Sequence, residues 1–74
     1  MKKRLQTWGE IEEGMLLYFK GDQRMFQYVV MDKDWKTRSI RVIFRRPEWK
    51  RKVLILRMYS IPRWLSEGRL LRRP

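Results

Sequence analysis

The chain has 74 residues, with 19 Lys and Arg against 8 Asp and Glu, a formal charge of +11, and no Cys, His, Ala or Asn. The missing Cys and His exclude zinc knuckles, disulfide frames and thiol or imidazole catalysis. So small a domain is a poor host for a water-excluding catalytic pocket, so no enzyme is expected.

Residues 1–6 are charged but lack the apolar stretch of a signal peptide, and are read as a basic arm. Thr7-Trp8-Gly9-Glu10 has the capping-box form of a helical turn, with Ile11 pointing inward and Gly14 ending the turn in a left-handed conformation. Residues 15–20 then read as a strand. A Gly21-Asp22 turn and a second strand over 25–31 complete a hairpin. Residues 32–37 are a polar loop. Residues 38–45 show the clearest period of two, with Ile40, Val42 and Phe44 facing one way and Arg41, Ile43 and Arg45 the other. Pro47 stops that strand. Residues 52–59 form a fourth strand, apolar on both faces except for Arg57, and are expected to be the most buried. Ser60 caps a short helix with Pro62 in its first turn and Gly68 at its end. Trp64 and Leu65 are assigned to the core. Leu70-Leu71 makes a last short strand, and residues 73–74 a basic tail.

The class is therefore mainly β: a five-stranded arrangement with an N-terminal helical turn and a one-turn helix before the last strand. The absence of Ala argues against a helical bundle. Hydrophobic content of 43% and aromatic content of 14% mark a folded domain over residues 7–72 and not a disordered basic tail. No apolar run approaches the ~20 residues that cross a membrane, so a soluble cytoplasmic protein is expected, or one in the host cytoplasm if viral. A sheet this small needs both faces used or closure into a barrel. With the Glu13-Gly14-Met15 entry to the first strand and the Ile61-Pro62-Arg63-Trp64 turn before the last, the layout over about residues 10–72 resembles the small SH3-like barrels. The resemblance implies a five-stranded barrel. Basic members of that group, such as small archaeal chromatin proteins, bind duplex DNA through an aromatic and Arg sheet face. That is an analogy of fold and charge.

The charge is segregated. Residues 1–37 carry seven Lys and Arg against six acids, whereas residues 38–74 carry twelve against two, Glu48 and Glu67. Most of the second set is Arg, whose planar fork matches phosphate or carboxylate and stacks on bases. Such an excess repels itself in the folded state, which a polyanionic partner would relieve. A merely solvated surface is the bland alternative.

Three constellations could use that charge. Arg41 and Arg45, with Arg38 at the same edge and Arg57 on the next strand, would stand ~7 Å apart along one face, close to the phosphate repeat of a nucleic-acid strand. The two loops Trp35-Lys36 and Arg46-Pro47-Glu48-Trp49-Lys50-Arg51-Lys52 each set a Trp among cations. Such a Trp stacks on a base, anchors a protein partner, or folds back as a lid on the core. The four cations within three positions of Trp49 favour contact there, and a lid is favoured for Trp35. Third, Arg63, Arg69, Arg72 and Arg73 cluster near the chain end, where solvated fraying is commoner than contact. Asp32 and Asp34 are too few for a hard cation and suit turn-forming instead. No metal, cofactor or membrane partner is expected.

The expected function is nucleic-acid binding, to DNA or RNA, with low sequence specificity. The alternative is a small regulator or inhibitor, phage-encoded in one version, that docks on an acidic protein surface of RNA polymerase or a nuclease. A ribosomal or nucleoprotein assembly subunit is a third class.

Overall fold

The structure, a computed structural model, describes residues 3–24 and 26–73. Met25, expected in the second strand, and Met1, Lys2 and Pro74, placed in the arm and tail, lie outside the described residues. Six antiparallel strands form one sheet: β1 (Lys3–Arg4), β2 (Leu16–Phe19), β3 (Gln27–Asp34), β4 (Ser39–Arg45), β5 (Leu54–Met58) and β6 (Leu70–Arg72). A 3₁₀ turn over Trp8–Glu10 precedes β2, and helix α1 (Ile61–Ser66) precedes β6. The mainly-β class and both helical elements are those predicted. The strand order is β1-β6-β2-β3-β4-β5. Among the described residues no ladder joins β5 to β1, so these two strands stand at the ends of a linear order. The radius of gyration is 11.7 Å, close to the ~11 Å of a compact domain of this length.

β4 obeys its period of two. Ile40 and Val42 are fully buried, while Arg41 and Arg45 are exposed. β3 is longer than expected and takes in Asp32-Lys33-Asp34, read from sequence as loop. Its register against β4 shifts between Val30 and Asp32. Met31 is thus an extra residue in the strand, and the alternation of faces changes there. Val30 pairs with buried Val42, and Lys33, three residues on, pairs with buried Ile40.

The core gathers Leu5, Trp8, Ile11, Leu17, Val30, Ile40, Val42, Met58, Ile61, Leu65 and Leu70. Leu5, from the segment read as an arm, is fully buried, and its amide donates to the Leu70 carbonyl at 3.0 Å. The 3₁₀ turn and α1, which contact each other, supply Trp8, Ile61 and Leu65 to this core. The Glu10 carboxylate accepts from the Thr7 amide at 3.0 Å, in the capping-box arrangement. Gly14 is left-handed as predicted, with φ 83°, but it closes a separate turn after the 3₁₀ element, its amide donating to the Val30 carbonyl. α1 ends in a Schellman motif: the Gly68 amide donates to the Leu65 carbonyl at 3.1 Å and the Arg69 amide to the Trp64 carbonyl at 2.9 Å. That motif needs the φ of 70° that Gly68 adopts.

The fourth strand corrects the sequence reading. β5 was expected to be the most buried strand, yet Val53, Leu54, Ile55 and Leu56 are exposed, and only Met58 is buried. Its apolar character on both faces does not come from two covering layers. β5 is an edge strand with β4 as its one ladder partner among the described residues.

Candidate functional site

Directly opposed residues of an antiparallel pair share a face, so the register defines the outer surface. One row runs Asp32, Arg41, Arg57 across β3, β4 and β5. The next runs Leu16, Val29, Ile43, Ile55 across β2 to β5. Arg45 stands beyond it, opposite Gln27. The face is thus an apolar row flanked by guanidinium groups, and Arg41, Arg45 and Arg57 are all exposed.

The three arginines differ in how free they are. Arg41 Nε donates to Asp32 Oδ2 at 2.8 Å, and Arg41 Nη2 donates to the same oxygen. The bond from Arg41 holds the Asp32 carboxyl below its ordinary value of 3.8, against an opposing effect of desolvation, and the same bond raises the guanidinium still further above its ordinary value. Arg57 lies opposite Arg41, an unfavourable like-charge pair, and turns one amine to Ser39 Oγ at 3.1 Å. Among the described residues, Arg38, Arg45 and Arg57 enter no ion pair. The acids Asp32, Glu48 and Glu67 are taken by Arg41, by Arg46, and by Arg63 with Arg69.

At one end of β4 lies the β3–β4 turn. Asp34 Oδ1 accepts from the Lys36 amide at 2.9 Å and the Thr37 amide at 3.3 Å, which shapes the turn. Arg38 follows with φ 54°, a left-handed conformation that costs a non-glycine residue about 1 kcal/mol or more. The conformation brings its guanidinium to 5.3 Å from the Trp35 ring and 5.6 Å from the Trp8 ring. Lys33 Nζ approaches the same two rings at 4.5 and 5.4 Å. Trp35 meets Trp8 edge-on at 5.7 Å and remains 59% exposed. The lid favoured for Trp35 is therefore not what forms. The lid position is filled by Trp8, and Trp35 leans on its outer edge. Lys36 is exposed on the same turn.

The other end of β4, ~20 Å away at strand spacing, carries the loop before β5. Trp49 is half-buried there, edge-on to Phe44 at 5.6 Å. Phe44 in turn contacts Tyr28 and Phe26 at 5.2 Å each, and Phe19 bridges Tyr28 to Trp64. Trp49 thus closes an aromatic chain that extends the core. Arg46 is half-buried over Phe26 at 4.8 Å and pairs with Glu48 at 2.9 Å. Lys52 Nζ sits 4.8 Å from the Trp49 ring. Lys50 and Arg51 are exposed. Burial, with Asp22 adding to it, raises the Tyr28 phenol above its ordinary value, so that group stays neutral.

The sequence-predicted residues therefore divide into three groups: Arg41, Arg45 and Arg57 on the sheet face, Trp35, Lys36 and Arg38 at one end, and Arg46, Trp49, Lys50, Arg51 and Lys52 at the other. Lys33 was missed. Its place beside the two indoles follows from the Met31 bulge, and a strict alternation from Val30 puts Lys33 on the wrong face. Among the described residues no cluster of acids could hold a metal ion, and no helix is long and apolar enough to cross a membrane. Comparison with protein-family models, with curated proteins and with solved structures finds no match to this chain.

Proposed function

We propose that this chain is a small, non-enzymatic nucleic-acid-binding module of the cytoplasm. It binds by charge and stacking and not by base-edge readout. Arg45 and Arg57, with Arg41 and its Asp32 partner between β3 and β5, neutralise backbone phosphates. Trp35, flanked by Lys33 and Arg38, stacks on an unpaired base. Lys50, Arg51 and Lys52 extend the positive track. The observation that carries this reading is the exposure of Trp35 at 59% between two cations. A large indole held outside the core, with positive groups over its face, is suited to a π-faced anionic ligand.

The test is a salt series on duplex DNA, single-stranded DNA and RNA. Contact with about five phosphates of a duplex gives a slope of log K against log salt near −4.5. A slope near zero overturns the proposal. Single-strand binding should suffer more than duplex binding when Trp35 is replaced by Ala, because only unpaired bases offer a free face. Docking on an acidic protein surface uses the same arginines. A stoichiometric protein partner that survives nuclease treatment, together with a flat salt series, would favour that reading instead.

A further inference from the structure

We infer that the β3–β4 turn takes the phosphorylated end of a nucleic-acid strand, with the terminal base on Trp35 and its phosphomonoester between Lys33 and Arg38. The inference rests on the nucleic-acid reading and narrows it to one kind of end.

Three features meet at this corner. The first is charge. Lys33 Nζ and the Arg38 guanidinium lie 4.5 and 5.3 Å from the Trp35 ring, and 5.4 and 5.6 Å from that of Trp8. Two cations are thereby drawn to one pair of rings, and among the described residues neither enters an ion pair. A ring face attracts a cation but cancels none of its charge. The neighbouring acids are engaged elsewhere: Asp34 Oδ1 accepts from the Lys36 and Thr37 amides, and Asp32 Oδ2 accepts from Arg41. Lys33 Nζ has the Trp8 carbonyl at 3.5 Å, too long for a strong bond.

The second feature is the backbone. Arg38 has a φ of 54°, and no other described residue besides glycine has a positive φ. A left-handed position closing a hairpin turn is ordinarily filled by Gly or Asn. An arginine kept there at the expense of strain points to work done by its side chain. The third feature is the open indole. Trp35 is 59% exposed, which leaves room for a base on one ring face.

A ligand that answers all three carries a flat π face with a compact, doubly negative group beside it. An internal phosphodiester has a single charge. A phosphomonoester carries about −1.5 to −2 at neutral pH, accepts from the guanidinium fork on two oxygens, and leaves the third for the ammonium. A peptide carboxylate has one charge and no ring attached. At a strand end the outer face of the last base has no neighbour, so it reaches Trp35 without the unstacking that an internal base requires.

The experiment uses the full chain and three single strands of one sequence, about ten nucleotides long, the order of length that a small domain covers. One carries a 5′ phosphate, one a 3′ phosphate, and one has hydroxyls at both ends. One of the phosphorylated strands should bind about 5-fold tighter than the hydroxyl-ended strand, the order expected from two exposed charge pairs, and which one it is identifies the end. The preference should shrink as pH falls from about 7 to about 5.5, because the phosphomonoester takes up its second proton near pH 6. The chain has no His, so no side chain of ordinary pKa titrates in that window. Lys33→Gln and Arg38→Gln should each remove most of the preference. Lys50→Gln, at the far end of β4, should weaken all three strands alike. Arg38→Gly removes the same cation while relieving the φ, and serves if circular dichroism shows the Gln variant to be unfolded. Equal affinity for the three strands, a preference unchanged by pH, or one that survives the Lys33 and Arg38 variants overturns the inference. The nucleic-acid reading is judged separately, by the salt slope on the hydroxyl-ended strand, and a flat slope there overturns that reading as well.

Discussion

β4 and β5 lie side by side and pair at five positions, from Ile40 opposite Met58 to Phe44 opposite Leu54. Both are rich in branched apolar residues, yet their fates diverge. Ile40 and Val42 are sealed, while Leu56, directly opposite Val42, is 38% exposed. The difference lies in neighbours and not in side-chain chemistry. β4 has a strand on each side, whereas β5 has one neighbour among the described residues and its outer margin is open. Apolar content tells which residues could be buried, and position in the sheet tells which ones are.

Four measurements probe the contrast between sealed and open positions, in order of decreasing effect. Ile40→Ala should destabilise the fold by about 2–5 kcal/mol, the range for emptying a sealed aliphatic site, whereas Leu56→Ala should cost about 1 kcal/mol or less. Denaturant melts of both variants at low protein concentration check this, and equal losses would show β5 to be covered in solution. Gly68→Ala tests the stop of α1. The added Cβ meets a left-handed φ of 70° and the Arg4 guanidinium at 2.7 Å. The backbone alone costs about 1–2 kcal/mol, read as a fall in Tm of roughly 4–8 °C per kcal/mol; the Arg4 side chain can swing away.

Arg38→Gly tests the turn at the far end of β4. Relief of the left-handed conformation should hold stability level or raise it by up to ~1 kcal/mol, while nucleic-acid affinity falls as a cation leaves Trp35. A fall in stability instead would mean that Arg38 is held for packing on Trp8. The smallest effect concerns Asp32. Its folded value lies below 3.8 because of Arg41, so its contribution is complete above the unfolded value and is lost as pH falls through the lower folded one. Carbon-detected titration should place the Asp32 carboxyl below its ordinary range and return it there in Arg41→Gln. The pair is solvent-exposed, so the global melt should scarcely move.

Within the site, legibility followed alternation. Arg41, Ile43 and Arg45 were placed on one face by a period of two, and the register bears this out, with Arg57 opposite Arg41. The reading failed where a single inserted residue changed the phase. Met31 bulges from β3, so Lys33 comes round to the indoles of Trp8 and Trp35, and Asp32 comes to Arg41. It failed again for the two tryptophans, whose loop contexts look alike in sequence. Trp49 finds Phe44 and the aromatic chain behind it, while Trp35 finds the indole Trp8 already in the lid position.

The mainly-β class, the capped turn at the start, the Gly68 stop of the last helix and the concentration of charge in residues 38–74 are all legible from the residues alone. These depend on local rules: backbone conformations open to particular residues, side-chain period along an extended chain, and composition. That β5 is an edge, that Leu5 joins the core, that Asp32 is held by Arg41, and which tryptophan faces solvent emerge from the assembled sheet. Each of those depends on which strand lies next to which, and strand order joins residues far apart in the chain. A strand apolar on both faces reads the same whether it is buried in the middle of a sheet or left at its rim.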